Sequence, residues 1–229
     1  MIDNFLDDYY RSRIGTTDIE RELGISSNVF YRLLKERGLK PRGRYFKDID
    51  TGVPELDKTL RIKYNDIVQR SRGRKGHTYI NNAKSNDYIT IIEWVGIVNE
   101  NKELLLAMWD EYIQSGKDLK EAISIDRIDT EKPYFKENIA FEKTAFNAWK
   151  RNVRPLKVTV DDETNYFLSA EEASRFYGIR RQSIGDILRG VNLYSSKYEV
   201  VETTIKEVLE NNKVNNLHDY YYTIFNKGE

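Results

Sequence analysis

The sequence has no cysteine, only two histidines and only four prolines in 229 residues. Without cysteine there is no disulfide, no thiolate ligand for zinc and no thiol nucleophile, and the composition suits a reducing, cytoplasmic setting. His77 and His218 are too few for a His-rich metal centre and make a Ser-His-Asp triad a poor reading. Long apolar runs are missing too: no stretch approaches the roughly 18–20 residues that a membrane helix needs. The opening MIDNFLDDYY is acidic and lacks the apolar core of a signal peptide, so a soluble protein with no membrane partner is expected. Net charge is the last absence, with 37 basic residues against 37 acidic ones.

What is present is apolar material for real cores, 39% hydrophobic with 12% aromatic, and enough length for two or three small domains. The zero net charge also hides an uneven distribution, which matters more for a polyanionic partner than the sum does. Residues 11–47 carry ten Lys/Arg and four acids, a net of +6, so the remainder sums to −6. Smaller basic clusters fall at 70–75 (RSRGRK), at 150–157 (KRNVRPLK) and at Arg180–Arg181.

The basic window reads IGTTDIERELGISSNVFYRLLKERGLKPR. Thr17 followed by Glu20 has the spacing of a capping box, Ile19 and Leu23 share a helix face, and Gly24 stops the helix. Ser26 or Ser27 caps a second helix running to about Glu36, with Val29, Leu33 and Phe30 as inward positions, and Gly38 with Pro41 ends it. Two short helices about a tight glycine turn describe a helix-turn-helix, whose second helix enters the major groove N-terminus first. Asn28, Tyr31, Arg32 and Lys35 would then face DNA, and Arg42 and Arg44 would follow the phosphates. The plainer alternative is a helical hairpin with a solvated basic face.

After a turn-rich link, DIDTGVPELD, residues 48–110 hold an amphipathic segment (LRIKYNDIVQRSR), a Gly/basic loop (GRKGHTY, containing His77) and two further helical patterns. Trp94 and Trp109 in those patterns read as core residues. From Val158 the pattern changes. KVTVDDETNYFLS reads as a hairpin turning at DDET, and SAEEASRFYGIRRQSIGDILRG repeats the logic of the first module. Ser169 and Glu172 have capping-box spacing, Gly178 ends one helix, and Gly190 closes the next. Arg180, Arg181, Gln182 and Ser183 form the DNA-facing end of this second candidate. The tail reads as helices in which Tyr220, Tyr221 and Tyr222 pack.

Between the two modules lies SIDRIDTEKPYFKENIAF, residues 124–141. Two aspartates and an arginine end one short apolar run, a turn follows, and Asn138 leads into the next run. One reading is an ordinary β-hairpin, with Asp129 starting the turn and Asn138 capping it. The other is a nuclease site, which needs a hard divalent cation on oxygen ligands, a way to activate water and a cation for the developing charge.

IDRID, then Tyr134, then ENIAF resembles the strand-loop-strand of the ββα-metal motif in the HNH nuclease family, especially phage-encoded HNH homing endonucleases. Asn147, nine residues after Asn138 on the helix TAFNAWKRN, matches the spacing often seen in that family between the middle asparagine and a helix-borne metal ligand. VTVDDETNYFLSAEEASRFYGIRRQSIGDILRG resembles the modular DNA-binding repeat often appended to such enzymes, and the resemblance covers roughly residues 60–190. Together with the N-terminal helical pattern it gives an α+β, mostly helical chain: a helix-turn-helix over 1–47, an HNH-like ββα-metal domain over 48–156, and a modular DNA-binding domain with a helical tail over 157–229. It further implies one Mg²⁺ or Mn²⁺ per chain on Asp126 and Asn147, with Asn138 stabilising the loop and Arg127, with Lys150 or Arg151, contacting the phosphate. The partner would be double-stranded DNA, and the location the cytoplasm, that of the host cell if the protein is phage-encoded.

One departure stands out. Where the family carries its general-base histidine this chain has Arg127, which stays protonated at physiological pH. Three accounts are open: Arg127 clamps phosphate while water loses its proton without a side-chain base; Asp129 or His77 takes the role; or the domain keeps the fold without catalysis. The expectation is a metal-dependent, site-specific DNA endonuclease. Its rival is a catalytically inactive HNH-like DNA-binding protein that acts as a phage regulator or engages a protein of a host complex.

Overall fold

Apolar residues spaced three and four apart build most of the chain into helices, and two small antiparallel sheets complete an α+β architecture. The computed structural model describes residues 2–72, 87–129, 132–191 and 197–225. His77 and part of the 70–75 basic cluster lie outside the described residues. Two compact units divide the chain, 1–144 and 145–229.

The first unit opens with α1 (Ile2–Tyr10), an acidic helix that buries Leu6, Tyr9 and Tyr10. α2 (Thr16–Leu23) and α3 (Ser27–Glu36) follow, joined through Gly24, whose φ of 64° is the left-handed conformation that glycine adopts without strain. The expected cap at Thr17 with Glu20 is not formed. α2 starts two residues earlier than that cap implies, Gly15 occupies the cap, and the Asp18 carboxylate accepts from the Gly15 amide at 2.9 Å. Two acids compete for that role, and the one three residues past the cap wins it. Glu20 instead accepts from the amide and hydroxyl of Ser27, tying the start of α3 to α2. Inside α3 the buried positions are Phe30 and Leu34, while Val29 and Leu33 are only half-buried. The inward face is thus rotated by one residue from the expected one, because Phe30 packs edge-on against Tyr9 of α1, a helix outside the α2–α3 pattern.

α4 (Arg42–Tyr45) leads into α5 (Pro54–Ser71), which begins inside the segment expected as a link. Proline at the first helical position loses no hydrogen bond, and the Asp57 carboxylate accepts from the Thr51 amide and hydroxyl, fixing the entry. α6 (Ile91–Glu100) starts in a full capping box between Thr90 and Glu93, and α7 (Lys102–Gln114) follows after Asn101. Trp94 is fully buried, whereas Trp109 is half-buried against Tyr112. β1 (Ile123–Arg127) and β2 (Ile139–Lys143) pair antiparallel, with Asp126 opposite Ala140 and Arg127 opposite Ile139. A single core runs from Leu6 to Phe141 and takes in residues from both sides of position 47.

The unit boundary falls at the start of α8 (Thr144–Lys150). The second unit continues with β3 (Leu156–Val160) and β4 (Glu163–Phe167), a hairpin whose two turn residues, Asp161 and Asp162, have φ of 50° and 66°. Aspartate tolerates this left-handed conformation, and a two-residue I′-type turn requires it twice. α9 (Ala170–Tyr177) and α10 (Arg181–Leu188) follow around Gly178. β5 (Glu199–Glu202) then pairs with β3, giving the order β4-β3-β5, a third strand that the sequence reading left out. α11 (Ile205–Asn211) and α12 (Leu217–Tyr220) close the chain, running into a π-turn over Tyr221–Phe225. Tyr220 and Tyr221 are buried, as packing residues should be.

Candidate active site

In β1, Ile123 and Ile125 point into the core and hold the strand in place. Alternation would leave Asp126 on the other face and in water, yet it is only 8% exposed. A carboxylate withdrawn from solvent at a strand end is costly unless a partner compensates it.

Beside it, Asn138 is 2% exposed and organises the connecting loop. Its Oδ1 accepts from the Asp129 amide at 2.7 Å, and its Nδ2 donates to the carbonyls of Asp129 and Pro133 at 2.9 Å, with the Lys132 carbonyl at 3.3 Å. Only one orientation of the amide fits this set, since the amide N–H needs an acceptor and the carbonyls need a donor. Main-chain bonds continue the clamp, from the Ile128 amide to the Asn138 carbonyl at 3.2 Å and from the Asn138 amide to the Phe135 carbonyl at 2.9 Å. Asn138 therefore grips the far side of the loop and does not merely cap its own turn.

Arg127 donates through Nη1 to the Lys132 carbonyl at 2.9 Å and lies over the Tyr134 ring, 5.4 Å from its centroid. The same tyrosine accepts a hydrogen bond at its hydroxyl from Arg70 Nη1, at 3.1 Å from the end of α5. Nothing in the sequence pairs residues 70 and 134; Arg70 shows there only as the first residue of the 70–75 basic cluster. Asp129, one of the expected substitute bases, forms an ion pair with Lys132 at 3.1 Å.

In the second unit, Asn147 is 5% exposed on α8, next to buried Phe146. Lys150 is half-buried at the last turn of α8, and Arg151 beyond it is exposed. Phe146 is fixed by aromatic contacts with Trp149, Tyr221 and His218, so His218 serves packing. The Asp126 carboxylate and the Asn147 side-chain carbonyl are each hard oxygen donors of the kind that Mg²⁺ or Mn²⁺ takes. Among the described residues, no group of three or more His, Asp or Glu forms a metal cage.

The expected DNA-facing residues divide in two. Asn28, Tyr31, Arg32 and Lys35 are exposed together along α3, with Arg32 in a loose pair with Glu36 at 3.9 Å. Arg180, Arg181 and Gln182 are exposed at the start of α10 and Ser183 is half-buried; Arg181 reaches Glu171 at 3.6 Å. Arg44 is exposed. Arg42 is different: its Nη1 donates to the carbonyls of Tyr9 at 2.8 Å and Ile14 at 3.1 Å, and its guanidinium stacks over the Tyr9 ring. It braces α4 against the end of α1, so its guanidinium is occupied within the unit.

No family model, curated protein or solved structure matches this chain.

Proposed function

We propose that the protein is a metal-dependent DNA endonuclease whose site is centred on the β1–β2 hairpin. The observation that carries this reading is the Asn138 clamp: a buried amide used entirely to shape the loop that follows a buried aspartate. An ordinary hairpin of five-residue strands has no need of a withdrawn carboxylate next to such a clamp. The resemblance of residues 124–147 to the HNH strand-loop-strand-helix supports the same assignment.

In this reading Asp126 is the carboxylate that would hold one Mg²⁺ or Mn²⁺, and the resemblance assigns Asn147 as a further oxygen donor. Bound there, the ion supplies Lewis-acid stabilisation of charge on the scissile phosphodiester. Asn138 keeps the loop in register, so that Asp126 and Arg127 stay at fixed positions on β1. Arg127 acts as a cation toward a backbone phosphate beside the scissile one and cannot accept a proton, and Lys150 with Arg151 supply further positive charge. α2–α3 and α9–α10 are proposed as two helix-turn-helix modules reading double-stranded DNA, with α3 and the start of α10 directed to base edges in the major groove.

Cleavage of supercoiled plasmid with Mg²⁺ or Mn²⁺, with an EDTA control, tests this. Asp126→Ala should reduce cleavage by more than about 100-fold, beyond what loss of an outer-shell partner costs a metal site, and leave duplex affinity within a few-fold. Cleavage retained in Asp126→Ala removes the hairpin from the mechanism.

Arg127 favours a second reading. Its guanidinium is engaged with the Lys132 carbonyl and the Tyr134 ring, in the place where the resembled family carries a base. A DNA-binding protein that keeps the scaffold without hydrolysis, acting as a regulator or on a protein partner, accounts for that substitution. Duplex binding that is indifferent to EDTA, with no cleavage of any DNA, selects it.

A further inference from the structure

Two guanidinium groups meet at one aromatic residue inside the first unit. Arg70, from the last turn of α5, donates to the Tyr134 hydroxyl at 3.1 Å, and Arg127, from the end of β1, lies over the ring of the same tyrosine. Tyr134 is only 4% exposed, and its carbonyl accepts from the Ile89 amide at 2.6 Å, so the ring is fixed from both ends. A phenol oxygen that accepts from Arg70 retains its own proton to donate. Among the described residues no acceptor for that proton is present. Lys63 is a third cation on α5. It lies seven residues before Arg70, two turns away on the same helix face. Burial, together with the charge of Arg70, lowers its pKa despite the opposing pull of Asp66. Neither Lys63 nor Arg70 forms an ion pair with a carboxylate among the described residues. Gathered positive charge, partly desolvated and backed by an unused O–H donor, is complementary to an oxyanion.

We propose that Arg70, Arg127 and the Tyr134 hydroxyl form a cradle for one phosphodiester group of the DNA backbone, with Lys63 as the adjoining cation. The proposal rests on the DNA-binding reading above and extends it. Consecutive residues on a strand send their side chains to opposite faces, so the phosphate at Arg127 is not the one at Asp126. The cradle thus holds a flanking phosphate. Its members are positioning residues that fix the register of the duplex; they do not act on the bond that breaks.

The test uses the full chain, with EDTA present and a duplex of about 30 base pairs, titrated from about 50 to 200 mM KCl. Arg70→Gln keeps a side-chain amide within reach of Tyr134 and removes the charge. It should weaken binding about 5- to 20-fold at the lowest salt and reduce the slope of log affinity against log salt by about one. Tyr134→Phe keeps the ring under Arg127 and should weaken binding by about 3- to 10-fold with little change in slope. Unchanged affinity and slope in Arg70→Gln, with wild-type binding intact, overturns the cradle. If Arg70→Gln does not fold, unchanged affinity in Tyr134→Phe overturns it instead. A wild type that binds no duplex defeats the DNA reading, and inorganic phosphate then decides the cradle by itself. Against chloride at matched ionic strength, phosphate should raise the wild-type melting midpoint by about 2 °C more than that of Arg70→Gln, or of Tyr134→Phe if Arg70→Gln does not fold. Equal shifts in wild type and variant reject it.

Discussion

The α2–α3 and α9–α10 pairs are built to one local plan and completed in different ways. Each begins with an eight-residue helix and stops it with a left-handed glycine, Gly24 at φ 64° and Gly178 at φ 63°. Each places a glutamate, Glu20 or Glu172, in the first helix. Glu20 accepts from Ser27 across the turn, and those bonds from the hydroxyl and the amide hold its carboxyl below the usual range. Glu172 lies inside: its Oε2 accepts from the Leu168 amide, and its other oxygen accepts from the Tyr220 hydroxyl. Burial pushes its carboxyl up, against the pull of those bonds. The lesson is that local sequence sets the turn, whereas the state of an identical side chain depends on what packs over it from far along the chain.

The largest effects should come from the interiors of the two pairs. Phe30→Ala and Ile184→Ala each remove a fully buried side chain. They should cost about 3–5 and about 2–5 kcal/mol respectively, read from urea unfolding and from hydrogen exchange at amides of the affected pair. A cost below about 1 kcal/mol for either would mean that the pair is not a packed element, and the likeness between them would fail. Next come the glycines. A Cβ at Gly24 or Gly178 meets nothing within 4 Å, so alanine there costs only the left-handed strain. That is about 1–2 kcal/mol, and it should be the same in both. Unequal melting midpoints would show that the turns are not equivalent.

The smallest effect separates the pairs. Below the usual glutamate value of 4.5, the Glu20 contribution should fade as its depressed carboxyl takes up a proton. Glu172 runs the other way. Its folded form binds a proton more readily than the unfolded chain, so its contribution grows as pH falls through its raised value and is complete below 4.5. Unfolding midpoints between about pH 3.5 and 7 should therefore lose part of the acid-side fall in Glu20→Gln, and show a steeper one in Glu172→Gln. Parallel curves for wild type and both variants would erase the contrast.

The elements legible in the sequence are those whose signals are local. Gly24, Ser26, Ser169, Gly178 and the Asp161–Asp162 turn each act within four residues of themselves, and each falls where its pattern puts it. The loop-shaping use of Asn138 belongs here too, since its partners lie within nine residues. What escaped depends on distance. β5 pairs with a strand some forty residues earlier. α1 hides its purpose in two tyrosine hydroxyls, one accepting from the Arg42 amide and the other donating to the Lys40 carbonyl. Arg70 meets Tyr134 across 64 positions. The cap of α2 was misplaced for another reason: two acids two residues apart both satisfy the spacing rule, and the rule does not rank them.

The fate of the N-terminal cations bears on how this molecule would approach a polyanion. At long range every charge counts, and the three aspartates of α1 lower the +6 of residues 11–47 to +3 for the first 47 residues. Arg11 and Arg13 are matched to Asp7 and Asp8 at 2.9 and 2.6 Å, Lys40 to Asp48, and Arg42 is held by carbonyls. Lys35, Arg37, Arg44 and Lys47 remain exposed, with no ion pair of their own among the described residues. The far field that would draw the first 47 residues toward a charged rod is therefore weak, and what positive charge is open to contact sits on those four side chains. Capture would be slow, and grip would develop only once those side chains had touched.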